Sequence, residues 1–236
     1  DLTNSLDWVG AFDFDDRAEG ISPRRLPGWT RPQVPQMLEM MLRMPSGVRL
    51  RFTTDATEIG VTALPANMRF PGADKRPVAF TLEVDNQLRN QTSLDGNTIN
   101  IAADGSFEVQ RGQPAQIMFE ALPTGTKTCE LWLPHNAYVE VRSLQLSDGA
   151  TISRAPDDRV RWIHHGSSIS HCMEADDPAK VWPAVAARAA DVSLRNLGFG
   201  GQCHLDPFVA RTIRDSDADL VSLKTGINIV NMDSMR

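Results

Sequence analysis

The sequence predicts a two-part fold, an antiparallel β-sandwich followed by the opening strands of an α/β domain. Residues 48–152 contain many short apolar segments separated by turn residues, and in segments such as 48–53 apolar and polar residues alternate. Short strands at near-regular spacing are typical of β-sandwiches. From residue 159 the pattern becomes strand, helix, strand, helix, strand, which predicts parallel strands joined by helical crossovers. We therefore divide the chain into residues 1–155 and residues 156–236.

The first part is expected to consist of an irregular N-terminal segment, residues 1–45, and a run of strands. The strands are predicted at 48–53, 58–64, 78–84, 98–101, 107–109, 115–119, 129–133 and 138–146, with no helix among them. In the N-terminal segment, prolines at positions 23, 27, 32 and 35 interrupt every longer element. Residues 35–44 fit either a short helix or the approach to a strand.

The second part is expected to alternate strands with helices. Strands are predicted at 159–165, 192–196 and 219–225, and helices at 177–190 and 207–214. Asp177 precedes Pro178 and Asp206 precedes Pro207, so each aspartate is a candidate N-cap for the helix that follows. Because of Pro183, the sequence does not fix at which of several residues the helix predicted at 177–190 begins.

The composition is that of a globular protein, and it argues against some classes of partner. Of the 236 residues 41% are hydrophobic and 23% charged, and the net charge is −6, so no nucleic-acid partner is expected. No apolar run approaches the roughly 18 residues that span a bilayer, so no membrane span is expected. The chain starts at Asp1 without a signal-peptide pattern, leaving room for a natural N-terminus upstream, and its odd cysteine count favours a cytoplasmic location. The sequence does not predict the oligomeric state.

Each predicted strand of the second part ends in groups suited to acyl transfer. The first runs into Gly166-Ser167-Ser168, the second into the glycine-rich segment 196–201, and the third into 225–228, which contains Asn228. The carboxyl ends of parallel strands lie at one edge of a sheet, where α/β proteins bind ligands. A serine hydroxyl can serve as a nucleophile, and backbone N–H groups and an asparagine amide can donate to a developing oxyanion.

These segments resemble the sequence blocks of the SGNH or GDSL hydrolases. The family blocks are Gly-Asp-Ser-Leu/Ile, Asn-x-Gly-x-x-Gly and Gly-x-Asn-Asp. This chain has Gly166-Ser167-Ser168-Ile169, then Asn196, Gly198 and Gly201, then Gly226-Ile227-Asn228-Ile229. The resemblance implies that Ser168 is the catalytic nucleophile, and that Ser168 N–H, Gly201 N–H and the Asn228 side chain form the oxyanion hole. It implies no cofactor and no metal.

The resemblance also carries implications for architecture and substrate. A β-sandwich ahead of the blocks is similar to two-domain members such as the family 2 carbohydrate esterases. Segment 164–171 looks like that of a GDSL acyltransferase that tailors polyketides. The implied fold is a jelly-roll-like sandwich followed by a flavodoxin-like parallel α/β domain. The implied function is a serine-dependent acyl-ester hydrolase or O-acyltransferase that forms an acyl-enzyme at Ser168. Its substrate would be a small-molecule ester, an acylated carbohydrate or a natural product.

The chain departs from the family pattern at two acidic positions and in the general base. Ser167 and Ile229 stand where the family has aspartates. No Asp-x-x-His block, the family's source of the catalytic Asp and His, follows Ser168. We therefore expect that block beyond residue 236, in a segment missing from a truncated α/β domain. His171 and His204 are the candidate substitute bases.

An alternative function belongs to a different class of protein. A non-catalytic carbohydrate-binding or scaffolding protein with a degenerate SGNH domain would also tolerate the loss of both aspartates. An Asp-x-x-His block in the complete gene favours the enzyme, and its absence there favours the alternative.

The remaining histidines and the cysteines are expected to be structural. His164 and His165 alternate across a predicted strand, so one should face the core and the other the loop side. Cys129, Cys172 and Cys203 lack a metal-binding spacing, and we expect them to be inert thiols.

Overall fold

The computed structural model describes residue 2 and residues 6–69, 71–72, 76–104 and 106–230. The first part contains β1 (Asp7–Val9), β2 (Asp13–Asp16), β3 (Ile21–Arg24), α1 (Gln36–Leu42), β4 (Arg49–Thr54), β5 (Ile59–Arg69), β6 (Ala79–Val84), β7 (Gln87–Ser93), β8 (Asn97–Ile101), β9 (Phe107–Gln110), β10 (Ala115–Phe119), β11 (Lys127–Trp132), β12 (Ala137–Leu146) and β13 (Ile152–Arg154). The second part contains β14 (Val160–Gly166), α2 (Ser168–His171), α3 (Trp182–Ala189), β15 (Val192–Gly198), α4 (Pro207–Arg214) and β16 (Leu220–Lys224). Short 3-10 helices lie at Gly28–Gln33 and Pro178–Lys180.

The first part forms two sheets. One has the strand order β1-β4-β11-β6-β7, with β13 beside β4, and the other has the order β2-β3-β12-β5-β8-β9, with β10 beside β5. The pairing is antiparallel as expected, except that β5 and β8 run parallel. The exception arises because the chain leaves β5 for the β6–β7 hairpin of the other sheet. It then re-enters the second sheet in the direction of β5.

The two sheets share one hydrophobic core. It contains Phe52, Leu82 and Leu131 from the first sheet and Val61, Phe119 and Val141 from the second. Alternation along the strands explains the arrangement, because Val61 and Ala63 are fully buried whereas Thr62 between them is partly exposed. Burial of one face of each sheet is the source of their stability.

The expectation of an irregular N-terminal segment is wrong in part. β1 pairs with β4, and β2 and β3 form a hairpin that joins the second sheet. Pro23 is compatible with β3 because that strand pairs with β12 only through Ile21 and Val141, which leaves few ladder bonds to lose. Of the two alternatives for residues 35–44, the structure has the helix, α1.

The second part contains a three-stranded parallel sheet in the order β15-β14-β16, and this confirms the predicted parallel strands. The predicted helix at 177–190 is split into a 3-10 turn and α3, because a continuous helix would place Pro183 in its interior. Asp177 caps that turn by accepting from Ala179 N at 2.8 Å. Asp206 stands at the N-cap position of α4, but its side chain makes no capping bond. No helix in the described ranges is long and apolar enough to cross a membrane.

A buried ionic cluster joins the two parts. Glu130 on β11 accepts from Arg49 Nε at 2.9 Å, from Arg51 at 2.7 Å and from Arg159 at 2.5 Å. Arg49 also donates to Leu194 O on β15 at 3.0 Å. Burial alone would raise the pKa of Glu130, but the charges of the three arginines hold it below its usual value.

Replacing Glu130 with glutamine should destabilise the protein by about 3–5 kcal/mol, because it leaves the buried Arg49 without its ion-pair partner. Urea unfolding would measure the loss. The matched control is Asp217→Asn, which removes an exposed partner of Arg161 and Arg195 and should cost less than about 1 kcal/mol. Equal losses in the two variants would contradict the structural role of the cluster.

Candidate active site

The three predicted site residues follow three neighbouring parallel strands. Ser168 begins α2, directly after β14, Gly201 lies in the turn after β15, and Asn228 lies in the turn after β16. Gly166, at the end of β14, pairs with Gly198 on one side and with Lys224 on the other. All three residues therefore stand at the carboxyl edge of the sheet.

Ser168 is exposed at the start of a tight turn. Its neighbour Ser167 is fully buried, and Ser167 O accepts from the N–H groups of Ser170 and His171 at 3.0 Å each. Cys172 closes the turn in a left-handed conformation with φ 58°. The N–H of a residue in the first turn of a helix has no partner within the helix, so Ser168 N–H is free to donate outward.

Two glycines allow this turn to pack directly on the strand ends. A Cβ atom at Gly166 would lie 2.2 Å from Ser170 Oγ, and one at Gly198 would lie 2.4 Å from the carbonyl carbon of Ser170. No side chain fits at either position without moving the turn that carries Ser168. The first and second sequence blocks thus carry glycine here for reasons of space.

The Asn196 side chain supports the site through three hydrogen bonds. Its Oδ1 accepts from Gly198 N at 2.9 Å, and its Nδ2 donates to Ser170 O at 2.9 Å and to Ser46 Oγ at 3.0 Å. Ser46 Oγ in turn donates to His171 O at 2.8 Å. The asparagine of the second block is buried and bound to α2, so its role in the fold is to hold that helix against β15.

His171 is occupied at both ring nitrogens. Nδ1 accepts from Gly200 N at 3.2 Å, so Nε2 carries the proton and donates to His135 O at 2.9 Å. Burial, followed by the charge of Arg25, holds the pKa of His171 well below its usual value. The ring is therefore neutral, and its one lone pair is already engaged. This geometry excludes His171 as a substitute base.

The loop after β15 is bonded on its other side to the loop after β16. Asn228 Oδ1 accepts from Cys203 N at 3.1 Å. A backbone N–H can only donate, so this bond identifies the amide oxygen. Among the residues that the structure describes, the Nδ2 group of Asn228 has no hydrogen-bond partner. Gly201 has φ +67°, and a Cβ atom added there would meet no atom of a more distant residue within 4 Å. Its backbone conformation, rather than a lack of space, therefore favours glycine.

His164 and Ser170 form a buried serine–histidine pair. His164 Nε2 lies 2.8 Å from Ser170 Oγ, and its Nδ1 lies 2.8 Å from Ser222 Oγ. Ser170 is fully buried, so the pair has no access to a substrate from solvent. His165 is also buried, with Nδ1 2.8 Å from Leu197 O and Nε2 3.4 Å from Cys203 Sγ in the loop after β15.

His204 does not take the place of the base in this structure. It is buried, and its Nε2 atom has no hydrogen-bond partner. Among the residues that the structure describes, no histidine makes a hydrogen bond to the Ser168 hydroxyl. In the same ranges there is no group of three or more His, Cys, Asp or Glu side chains arranged to hold a metal.

Comparison with known proteins relates this arrangement to solved structures. No protein-family model matches the chain, and no curated protein matches it. A salicylyl-acyltransferase, SsfX3, from a tetracycline biosynthetic pathway superposes with a TM-score of 0.83 and 31% identity, over 96% of this chain and 60% of that one. A putative GDSL-like lipase from Bacteroides ovatus gives 0.69 and 20%, over 94% of this chain and 62% of that one. The chain therefore spans less than two thirds of either structure.

These similarities are consistent with the resemblance of the three sequence blocks to the SGNH/GDSL superfamily. A family two carbohydrate esterase from Clostridium thermocellum has the same fold, with a TM-score of 0.60 and 14% identity, over 98% of this chain and 68% of that one. Within the superfamily pattern, Ser167 stands for the aspartate of the first block, and its buried Oγ has no partner. Ile229 stands for the aspartate of the third block, and its N–H donates to Gly226 O at 3.0 Å.

Sequence reasoning missed the residues that reach the site from the N-terminal segment. Arg25, Met41 and Ser46 all lie against the strand ends of the parallel sheet or the turns that follow them. No local signal marks them, because they lie in a segment without clear periodicity. Only the folded chain brings them beneath β15.

The buried His164 should make stability depend on pH. Burial lowers the pKa of His164 from 6.5 to about 4, so between these values the unfolded chain binds the extra proton. Stability should be fully present above pH 6.5 and fall as the pH drops towards 4. The His164→Gln variant cannot titrate there, so its stability should fall less steeply, by up to about 1.4 kcal/mol per pH unit.

Urea unfolding at several pH values would measure these slopes. Ser170→Ala is the matched control, because it removes a partner of His164 but keeps the titrating ring. Identical slopes for wild type and His164→Gln would show that His164 is not the group responsible.

Proposed function

We propose that the protein is a serine-dependent acyl-ester hydrolase or O-acyltransferase that forms an acyl-enzyme at Ser168. The observation that carries the proposal is the position of Ser168, exposed at the end of the central strand. Gly201 and Asn228 follow the two flanking strands, and within the described ranges the Asn228 Nδ2 group has no hydrogen-bond partner. A nucleophile with donors on both sides is the arrangement that acyl transfer requires.

We propose different roles for the two parts of the chain. Residues 1–155 would be a jelly-roll-like β-sandwich that serves as an accessory domain. Residues 156–236 would be the first part of a flavodoxin-like catalytic domain. The shared core of the two sheets supports the first assignment, and the parallel order β15-β14-β16 supports the second.

The proposed reaction is a double displacement. Ser168 Oγ attacks the ester carbonyl carbon while a base removes its proton. The tetrahedral oxyanion accepts from Ser168 N–H, Gly201 N–H and Asn228 Nδ2, which bind it more strongly than the neutral carbonyl. Collapse expels the alcohol, which regains a proton from the base. Water or an acceptor alcohol then attacks the acyl-enzyme by the reverse steps.

The same contacts single out Gly201 rather than Gly200 as a donor. Gly200 N–H donates to His171 Nδ1 at 3.2 Å, whereas Gly201 N–H has no acceptor among the residues that the structure describes. Since the five histidines lie in the described ranges and none bonds to Ser168, we assign the base to an Asp-x-x-His block outside residues 1–236.

The proposed reaction is compatible with either water or an alcohol as the acyl acceptor. The 31% identical structure is a salicylyl-acyltransferase, and this favours an alcohol acceptor on a natural product. The esterase folds, at 14–20% identity, are compatible with water and with acylated carbohydrates. In either case the substrate would be a small-molecule ester.

Replacing Asn228 with alanine in the full natural protein should lower kcat for 4-nitrophenyl acetate by about 10²–10³-fold, with a smaller change in KM. The reason is that the amide binds the oxyanion most strongly in the transition state. Steady-state kinetics would measure both constants, with circular dichroism to establish folding.

The matched control is Ser167→Ala, which removes a neighbouring hydroxyl that has no partner and should leave kcat nearly unchanged. A folded Asn228→Ala variant with unchanged kcat would remove Asn228 from the mechanism. That result would favour the non-catalytic alternative.

A further inference from the structure

Arg25 is a fully buried arginine that lies directly beneath the glycine-rich loop. Its Nη1 donates to Gly198 O at 2.7 Å and to Asn196 O at 3.1 Å, and its Nη2 donates to Met41 O at 2.6 Å. Within the described ranges, no carboxylate forms an ion pair with it. The N-terminal segment thus contributes an unneutralised cation to the underside of β15.

Burying a guanidinium without a counter-ion is unfavourable, so this position calls for an explanation. Burial lowers the pKa of Arg25 to about 9, which leaves it charged at neutral pH. Three carbonyl dipoles and the ring of Phe199, centred 4.8 Å from the guanidinium carbon, offset part of the cost. Among the described residues, the Nε atom has no hydrogen-bond partner. An apolar side chain could fill this space without an orphaned donor.

Two of the carbonyl groups that accept hydrogen bonds from Arg25 belong to residues that set the direction of the glycine-rich loop. Asn196 and Gly198 lie within the last three residues of β15, and Phe199 leads from them to Gly200 and Gly201. Phe199 N–H is fixed on the other side by Gly166 O at 2.9 Å. Met41, the third acceptor, lies over the loop, with its Sδ 3.4 Å from a Cβ placed at Gly200.

We propose that Arg25 is a positioning residue for the oxyanion hole, because it fixes the end of β15 and thereby the direction of Gly201 N–H. This inference rests on the proposed function. It goes further by assigning to the N-terminal segment a role in transition-state binding. Small displacements of a donor are costly, since about 1 Å can change a rate by about 10²-fold.

Arg49 provides a matched control. It too is fully buried, it stacks on the Trp132 ring at 4.8 Å, and it donates to the β15 carbonyl of Leu194 at 3.0 Å. It differs in having Glu130 as a counter-ion and in contacting the strand before the loop. If Arg25 were only a structural cross-link, the two arginines should respond alike.

The experiment compares Arg25→Met, Arg25→Lys, Arg49→Met and Arg49→Lys in the full natural protein, at a temperature where each is folded. Turnover of 4-nitrophenyl acetate gives kcat and KM, and thermal melting gives stability. Arg25→Met should lower kcat by about 10–100-fold and change KM by less than about 3-fold. Arg25→Lys, whose single ammonium group can still donate to the carbonyls, should recover part of the loss and leave kcat about 3–10-fold below that of the wild type.

The Arg49 variants should lose stability but keep kcat within about 2-fold, because the geometry beyond Gly198 is intact. Hydrogen exchange of segment 196–203 should accelerate in Arg25→Met and stay unchanged in Arg49→Met. If Arg25→Met does not fold, the comparison of Arg25→Lys with Arg49→Lys decides, since only the former should lower kcat.

Unchanged kcat in folded Arg25 variants of an active protein would overturn the positioning role and leave the proposed function standing. Equal loss of kcat in the Arg25 and Arg49 variants would also overturn it, since that is the behaviour of a structural cross-link. No turnover by the wild-type protein would overturn the proposed function itself, and the role of Arg25 with it.

Discussion

The pairing of β14 with a parallel strand on each side is the constraint on which the rest of the site depends. Gly166 is level with Gly198 on one flank and with Lys224 on the other, so three turns begin at one height. Ser168, Gly201 and Asn228 each occupy one of these turns. A shift of one residue in either register would reverse the faces of that strand and separate these groups.

Close packing and buried polar bonds then hold the turns in place. The α2 turn rests on two glycines, and Asn196 ties it to β15 and to Ser46. Such bonds are stabilising only when every partner is present, because each unpaired buried group is costly. The site therefore depends on residues from the N-terminal segment as well as from the parallel sheet. The Glu130 cluster links the same two parts at a distance from the edge that carries Ser168.

The sequence predicted those features that local patterns encode. The strands of the parallel sheet follow from short apolar runs, and the three blocks mark the turns after them. The parallel pairing of β5 with β8 and the joining of β1 and β3 to the sheets depend on contacts between distant segments, which no local pattern carries. The same limit applies to His171, whose ring is held by His135 O and Gly200 N, and to Arg25. Residue type alone suggested His171 as a candidate base, and it suggested no role for Arg25.

The most direct test of the central claim is the location of a covalent adduct. A fluorophosphonate reacts with an activated serine, because phosphorus accepts the nucleophile as a carbonyl carbon does. In the full natural protein, the tryptic peptide 162–180 contains the serines at 167, 168 and 170, so fragmentation by mass spectrometry can tell them apart. The adduct is expected on Ser168 alone. An adduct on Ser167 or Ser170, or no adduct on the folded protein, would contradict the assignment of Ser168 as the nucleophile.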